Sequence, residues 1–336
     1  MITFSCHGQS ISLAPGEAWT PQASEDTYRD TPAGELQTIV KAIRAGQPWR
    51  QVVAAHYEKA NPWLHAIVTS PKRDLFFRQR PPKPGAKILD IGSGWGQIAR
   101  PLALEAAAEV VALEPTPERL AFIQAAAQQD GVADRMVFAQ ADFFEVEFAS
   151  RFDLVTSIGV LEWVPKFRAG DPREVQIEFL RHARNLLAPG GRFVLGIENR
   201  LGLKYLLGAP DDHIGPPNIA VYDATLASEK WLKQSGQPLR SFTFTRAELA
   251  GLLAAAGFRE SSFFAALPDY KLPELILPLD QHTNDHFATG EFIPEHDGCS
   301  GQLLACQAEL RSHYRSLAQL GIAHNFVPSF FVTASG

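Results

Sequence analysis

A doubly wound α/β sheet is the fold this sequence predicts, on three observations. From Ala86 onward, short apolar runs alternate with stretches of helical periodicity, the order that builds a parallel sheet with helices on both faces. A glycine-rich turn joins the first of these runs to its helix, in AKILDIGSGWGQIARPL. The composition is globular, with 46% hydrophobic and 20% charged residues in a chain of 336, enough for one large domain or two.

Taken in order, residues 1–84 read as a helical N-terminal cap. Turn-rich stretches (Thr20 to Pro32, Pro81 to Pro84) alternate there with helical patterns at Leu36 to Ala45 and Trp49 to Ala60. The Pro-Pro-Lys-Pro-Gly break then opens a second domain, residues 85–336. AKILDI is its first strand, followed by a helix from about Gln97, the strand VVALE, and a helix from Pro117. MVFAQAD from Met136 makes a third strand and FDLVTSIG from Phe152 a fourth. GRFVLGIEN from Gly191 is the fifth, reached through a helix ending at Leu187 and a turn at Pro189-Gly190-Gly191. An insertion at about 200–245 precedes the helix Arg246 to Ala256, which Gly257 should end in the left-handed conformation. Phe258 to Leu267 is a sixth strand and NFVPSFFVTAS from Asn325 a seventh, with a second, largely helical insertion at about 268–323.

Charge narrows the function. Lys and Arg total 31 against 37 Asp and Glu, so the net charge of -6 gives no broad attraction to phosphate backbones, and nucleic acid is not expected as a partner. Cys6, Cys299 and Cys306 are too few and too scattered for a disulfide framework and read as small apolar residues of a reducing compartment. The first ten residues lack the basic start and apolar stretch of a secretory signal, and a cytoplasmic location is expected. The uncharged run Ser316 to Gly336 is broken by Gln, His, Asn, Pro, Ser and Thr, so no membrane span is expected.

The glycine spacing decides between cofactors. Gly92, Gly94 and Gly96 stand at alternate positions after Asp90, whereas a dinucleotide fingerprint needs its third glycine where Gln97 stands. A Walker loop needs a lysine that this turn lacks. The D-x-G-x-G-x-G loop resembles motif I of the class I S-adenosylmethionine (SAM)-dependent methyltransferases, and the resemblance runs on in order from Ala86 to Asn199. It implies the seven-stranded Rossmann-like fold of that family, with SAM as cofactor and S-adenosylhomocysteine as product. Glu114, 24 residues after Asp90 and followed by Pro115, matches the acid that accepts both ribose hydroxyls. Asp142 and Phe143 match the acid and the aromatic at adenine, while Ser93, Ile158 and Gly159 complete the implied cofactor set. NPWLHAIVTSP, GIENRLGLKYLLGAPDDHIG and ALPDYKLP further resemble a bacterial subgroup associated with cell-surface polysaccharide biosynthesis, which implies a sugar or glycan acceptor.

Methyl transfer from a sulfonium is an in-line displacement with an excellent leaving group, so holding the reactants in line supplies much of the acceleration. A sugar hydroxyl gains from a base or a metal, whereas an ionised acceptor needs neither. SIGVLEWVP lacks the Asn/Asp-Pro-Pro-Tyr/Phe signature of enzymes that methylate planar amino groups. Candidate proton acceptors are His213 with Asp212 beside it in the first insertion, where His titrates in the useful range, and Glu162 after the fourth strand. Asn199, Arg200 and Tyr270 are candidate acceptor contacts, and Lys271 either faces the acceptor or pins the insertion. Trp63 and His65 read as core. Asp280, His282, Asp285, His286, Glu291, Glu295, His296 and Asp297 crowd the second insertion without a diagnostic triad spacing and read as a solvated flap, so the sequence names no metal ligands and leaves metal dependence open. The expected function is a sugar-hydroxyl O-methyltransferase. Its rivals are a natural-product methyltransferase and, from another class, a non-catalytic SAM-binding interaction module.

Overall fold

Continuous apolar runs bounded by turn residues become buried strands in the computed structural model, which describes residues 1–21, 28–294 and 307–336. The chain begins with strands β1 (Ile2–Cys6), β2 (Gln9–Leu13) and β3 (Ala18–Trp19), then helices α1 (Ala33–Arg44), α2 (Trp49–Tyr57), α3 (Pro62–Thr69) and α4 (Leu75–Gln79). Strand–helix alternation follows with β4 (Lys87–Ile91), α5 (Ala99–Glu105), β5 (Glu109–Leu113), α6 (Pro117–Gln129), β6 (Met136–Ala139), β7 (Val146–Phe148), β8 (Phe152–Ile158), α7 (Pro172–Asn185) and β9 (Leu187–Glu198). Beyond lie α8 (Leu203–Leu206), α9 (Ala224–Ser235), α10 (Arg246–Ala255), β10 (Glu260–Leu267), β11 (Leu275–Pro278), α11 (Gln281–Ala288), the helix Gln307–Gln319 and β12 (Ser329–Ser335). The seven expected strands are β4, β5, β6, β8, β9, β10 and β12.

Two compact units divide the chain, the first comprising residues 1–158, 181–194 and 335–336, the second residues 159–180 and 195–334. In the first, the strand order is β9-β8-β4-β5-β6-β3. The parallel register sets Asp90 opposite Ala112 on one side and Thr156 on the other. Helices α1, α2 and α3 pack through Leu36, Ile39, Val53 and Leu64 onto Trp95 and Phe122. The Trp95 and Phe122 rings meet edge to face at 4.9 Å, the geometry their quadrupoles favour.

The expectation of a helical N-terminal segment is corrected for its first nineteen residues. β1 lies between β2 and β7 in a three-stranded antiparallel sheet, with Phe4 against Phe148 and Trp19. The reason is period two: Ile2, Phe4 and Cys6 are buried while Thr3 and Ser5 alternate with them on the more open face. β3, only two residues long, pairs in parallel with β6 and extends the sheet edge beyond the expected strands.

In the second unit the order is β11-β10-β12-β9. β11 pairs antiparallel with β10 and is a strand within the insertion expected to be largely helical, because its four-residue apolar run Leu-Ile-Leu-Pro is too short to show a period. β12 starts at Ser329 rather than Asn325, since Ala323–Phe326 forms a 3-10 turn and Pro328 has no N–H to give a ladder. Gly257 follows α10 with φ +94°, as expected for a glycine stop. Cys299, Cys306, Glu295, His296 and Asp297 lie outside the described residues. No helix among the described residues is long and apolar enough to cross a membrane.

Thr245 and Glu248 form a capping box at the start of α10, the Thr245 hydroxyl accepting from the Glu248 N–H and the Glu248 carboxylate from the Thr245 N–H. Thr245→Ala removes one half of it. It is expected to lower stability by about 1 kcal/mol, read as a fall in urea midpoint at unchanged m-value.

Candidate active site

In the first unit, β4 delivers Asp90 to a turn that only glycines can follow. Gly92, Gly94 and Gly96 have φ of +67°, +57° and +75°, the left-handed region closed to most side chains. A Cβ on Gly96 would lie 2.9 Å from Ile123 Cγ2, so packing against α6 also excludes one. Ser93 Oγ donates to the Asp90 carbonyl at 2.9 Å and ties the turn to its strand.

Glu114, at the end of β5, is buried and anchors this turn. Its Oε2 accepts from the Gly94 N–H at 2.8 Å and its Oε1 from the Thr116 N–H at 3.0 Å. Each carboxylate oxygen has a further lone pair for a ligand hydroxyl. Burial raises the Glu114 pKa, opposed by the charge of Arg119 and the two amides. Arg119 is in turn fixed at 2.6 Å by Asp30, which also accepts from the Trp95 indole N–H at 3.2 Å. Pro115 is half-buried beside Glu114. Asp142 caps the short turn Phe143–Glu145 by accepting from the Phe144 N–H at 2.8 Å, and the Phe143 ring packs on His182 with centroids 4.4 Å apart. Ile158 closes β8 and is buried.

Asp90 Oδ1 accepts from the Thr156 hydroxyl at 2.6 Å, but its Oδ2 is buried with no hydrogen-bond partner. An orphaned acceptor beside a glycine-lined turn and a buried acid is what the amino group and ribose of SAM would complete, so the residues present fit that cofactor.

The second unit gathers a different chemistry. Glu162 lies in the loop that follows β8, Glu198 ends β9, and His213 sits in a turn after α8. That turn is built by Asp211, whose Oδ1 accepts from the N–H groups of His213 at 2.8 Å and Ile214 at 2.9 Å. The His213 Nε2 stands 3.7 Å from Glu162 and 3.5 Å from Glu198, and its Nδ1 stands 3.6 Å from Asp211. Both glutamates are fully buried and the His213 side chain is only 5% exposed. Lys271 pairs with Glu198 and with Asp212, the latter at 3.2 Å. Lys204 stands 3.4 Å from Asp269 and 3.7 Å from Asp212, and Asp212 also accepts from the Tyr205 hydroxyl at 2.9 Å. The Tyr270 hydroxyl donates to Glu162 at 3.3 Å. Gly159 has to be glycine: its φ is +74°, and a Cβ would lie 2.7 Å from the Tyr270 oxygen.

These neighbours set the electrostatics of His213. Burial alone disfavours an imidazolium, but the charge of Glu198, with Asp211 and Glu162, raises the His213 pKa well above the ordinary imidazole value. Burial pushes the Glu162 carboxyl up, opposed by the neighbouring His213. Glu198 is held down, to about 2, because Lys271 and His213 outweigh its burial. Asp212 is lowered by Lys204, Lys271 and His213 against its burial.

Two expected acceptor contacts are engaged in the fold. Asn199 is fully buried and its amide donates to the carbonyls of Asn325 at 2.9 Å and Val327 at 2.8 Å, clamping the chain that leads into β12. Arg200 makes a two-pronged bond with Glu248, both contacts at 2.7 Å. It still borders an open cleft of about 360 Å³ that is also lined by Asp211, His213, Ile214, Tyr222 and Phe242. Glu198, Lys204 and Asp269 were not singled out in the sequence. A charged residue closing an otherwise apolar strand, as in FVLGIEN, was the available signal for Glu198. Trp63 is half-buried, as is His65.

Residues 89–195 match a family model described as a methyltransferase domain. The chain carries a SAM-dependent methyltransferase domain. Its cofactor is SAM. Among curated relatives, the domain is similar to the ubiquinone biosynthesis O-methyltransferase of Azorhizobium caulinodans, 28% identical over 62% of this chain and 73% of that one. It is also similar to the protein of the same name in Pseudomonas putida strain GB-1, 31% identical over 43% of this chain and 57% of that one. The chain thus spans little more than half of the second relative. Among solved structures, the CcbJ methyltransferase of Streptomyces caelestis is 16% identical, covering 79% of this chain and 89% of that one with a TM-score of 0.46.

Two outcomes test Glu114 and Asp90 as cofactor-site candidates. Glu114→Ala should weaken SAM binding by about 1.5–3 kcal/mol, the worth of hydrogen bonds to a charged acceptor, and calorimetry with the folded variant reads it directly. Burial raises the Asp90 carboxyl from 3.8 to about 6, against the hydrogen bonds from Thr156 and Ser93. Because the folded pKa lies above the unfolded one, this group's contribution is fully present below about pH 4 and is lost as pH rises through 6. Relative to Asp90→Asn, the ligand-free wild type should lose up to ~3 kcal/mol of stability between pH 4 and pH 7.5 in urea titrations, and parallel profiles for the two proteins would contradict the assignment.

Proposed function

We propose that the protein transfers the methyl group of SAM to a hydroxyl oxygen of an uncharged acceptor. Glu114 holds the ribose, Asp142 and Phe143 the adenine, and the glycine turn with Asp90 the methionine end. The single observation that carries the hydroxyl reading is the buried assembly around His213. An acceptor already ionised would gain nothing from it, whereas a hydroxyl has to lose a proton as it attacks. In the transfer the methyl carbon forms its bond to oxygen while the carbon–sulfur bond breaks, its electron pair staying on sulfur to give S-adenosylhomocysteine. The hydroxyl proton leaves into the cluster. There the carboxylates of Glu162, Glu198, Asp211, Asp212 and Asp269 outnumber the cations Lys204, Lys271 and His213.

A sugar or glycan hydroxyl is the first acceptor class in this reading. The resemblance of the GIENRLGLKYLLGAPDDHIG and PDYKLP segments to the polysaccharide-associated subgroup supports it. So does the mixed lining of the cleft, where Tyr222 and Phe242 offer faces to sugar C–H groups and Arg200 and Asp211 offer polar edges. A small-molecule phenol is the second reading, favoured by the names of the curated relatives.

S-adenosylhomocysteine release, measured against panels of glycosides and of phenols with the methylated oxygen located by mass spectrometry, separates the two. On the acceptor that reacts, His213→Ala should lose about 10²- to 10⁴-fold in kcat and leave the SAM dissociation constant unchanged. Near-normal turnover would refute the role of the cluster and turn the reading toward an acceptor ionised at neutral pH.

A further inference from the structure

The spacing inside the cluster is odd for a set of ion pairs. The His213 Nε2 is 3.7 Å from Glu162 and 3.5 Å from Glu198, beyond hydrogen-bond reach of either. Ligand atoms on a tetrahedral shell of metal–ligand bonds near 2.1 Å stand about 3.4 Å apart, so these separations match a shared ion better than a shared proton. One nitrogen and one oxygen from each glutamate lie within 4.8 Å of one another.

Three further observations point the same way. The Oε2 atoms of Glu162 and of Glu198 are buried with no hydrogen-bond partner, and the Glu198 oxygen is the one that stands 3.5 Å from the His213 Nε2. An orphaned, desolvated carboxylate oxygen costs several kcal/mol unless a positive charge faces it. The cluster's carboxylates also outnumber its cations, a surplus of negative charge away from water that a divalent ion would offset. Finally, the far nitrogen of His213 faces a third carboxylate, Asp211 at 3.6 Å, on the side away from the two glutamates, where a small closing of the gap would orient the ring as a ligand.

We infer that Glu162, Glu198 and His213 form a binding site for one divalent cation. Two carboxylates and an imidazole suit Mn²⁺ or Zn²⁺, with the remaining positions turned to the cleft that His213 lines. An acceptor hydroxyl bound there would ionise more readily, its proton still leaving into the cluster, and His213 would serve as a neutral ligand. The inference rests on the hydroxyl reading above and supplies its chemistry. The three ligands come from segments that only the fold brings together, so no spacing along the chain points to them.

The test is direct binding to the full chain after treatment with chelator. Titration with Mn²⁺ and Zn²⁺ by calorimetry should show one equivalent, and Co²⁺ should give the visible absorption bands of a protein-bound ion. Glu198→Gln and Glu162→Gln should each weaken binding about tenfold or more, whereas Glu178→Gln, exposed on α7, should not. SAM affinity checks that each variant is folded. Absence of binding at millimolar Mn²⁺ and Zn²⁺ overturns the inference, as does binding that survives in both glutamate variants. Hydroxyl methylation that persists without bound metal would overturn the metal while leaving the hydroxyl reading standing, whereas metal binding without any hydroxyl acceptor would do the reverse.

Discussion

A carboxylate taken out of water has to be given a positive charge or several N–H groups, and both functional regions of this protein are organised by that constraint. In the first unit Glu114 meets it with two backbone amides and the nearby charge of Arg119. Those amides belong to the glycine turn and to the start of α6. Satisfying the acid therefore also sets the shape of the turn, and the left-handed glycines are what let the backbone turn its amides toward it. Asp30 and Trp95 extend the same chain of contacts into the residues ahead of α1. An N-terminal segment of ordinary appearance thus supports the buried acid of the glycine turn, eighty-four residues away.

In the second unit the same constraint is met mainly by side chains, with backbone amides serving Asp211 and Asp269. Lys271 neutralises Glu198, Lys204 serves Asp269 and Asp212, and His213 stands among three carboxylates. Side-chain pairing is costly in conformational entropy, and a lysine buried for packing alone would be a poor choice. Such an assembly is maintained when the charges do work, and its opening on a cleft with aromatic and polar walls gives that work a location. The cis peptide bond before Pro268 lies in the same stretch as Asp269, Tyr270 and Lys271, three consecutive residues that all reach the cluster.

How much of this was legible in advance differs sharply between the two regions. Asp90, the three glycines, Glu114 and Asp142 lie at the ends of successive strands of one parallel sheet, so their spacing along the chain is the spacing of the strand–helix repeat. Local rules sufficed for them. Seven strands were readable for the same reason, since each is a continuous apolar run. The exceptions are instructive: β3 and β11 are too short to carry a period, and the alternation of β1 was outweighed by the helical patterns that follow it.

By itself the sequence determined the sheet, the glycine turn and the acids at the strand ends, because contacts between neighbouring strands repeat at a fixed chain interval. Tertiary structure alone decided what His213 is. Sequence placed it beside Asp211 and Asp212, yet the groups that control its Nε2 are Glu162 and Glu198, fifty-one and fifteen residues away. Whether an imidazole is a base, a cation or a ligand depends on the charges within a few ångströms of its nitrogens and on the water it has lost, and neither quantity is a function of position along the chain.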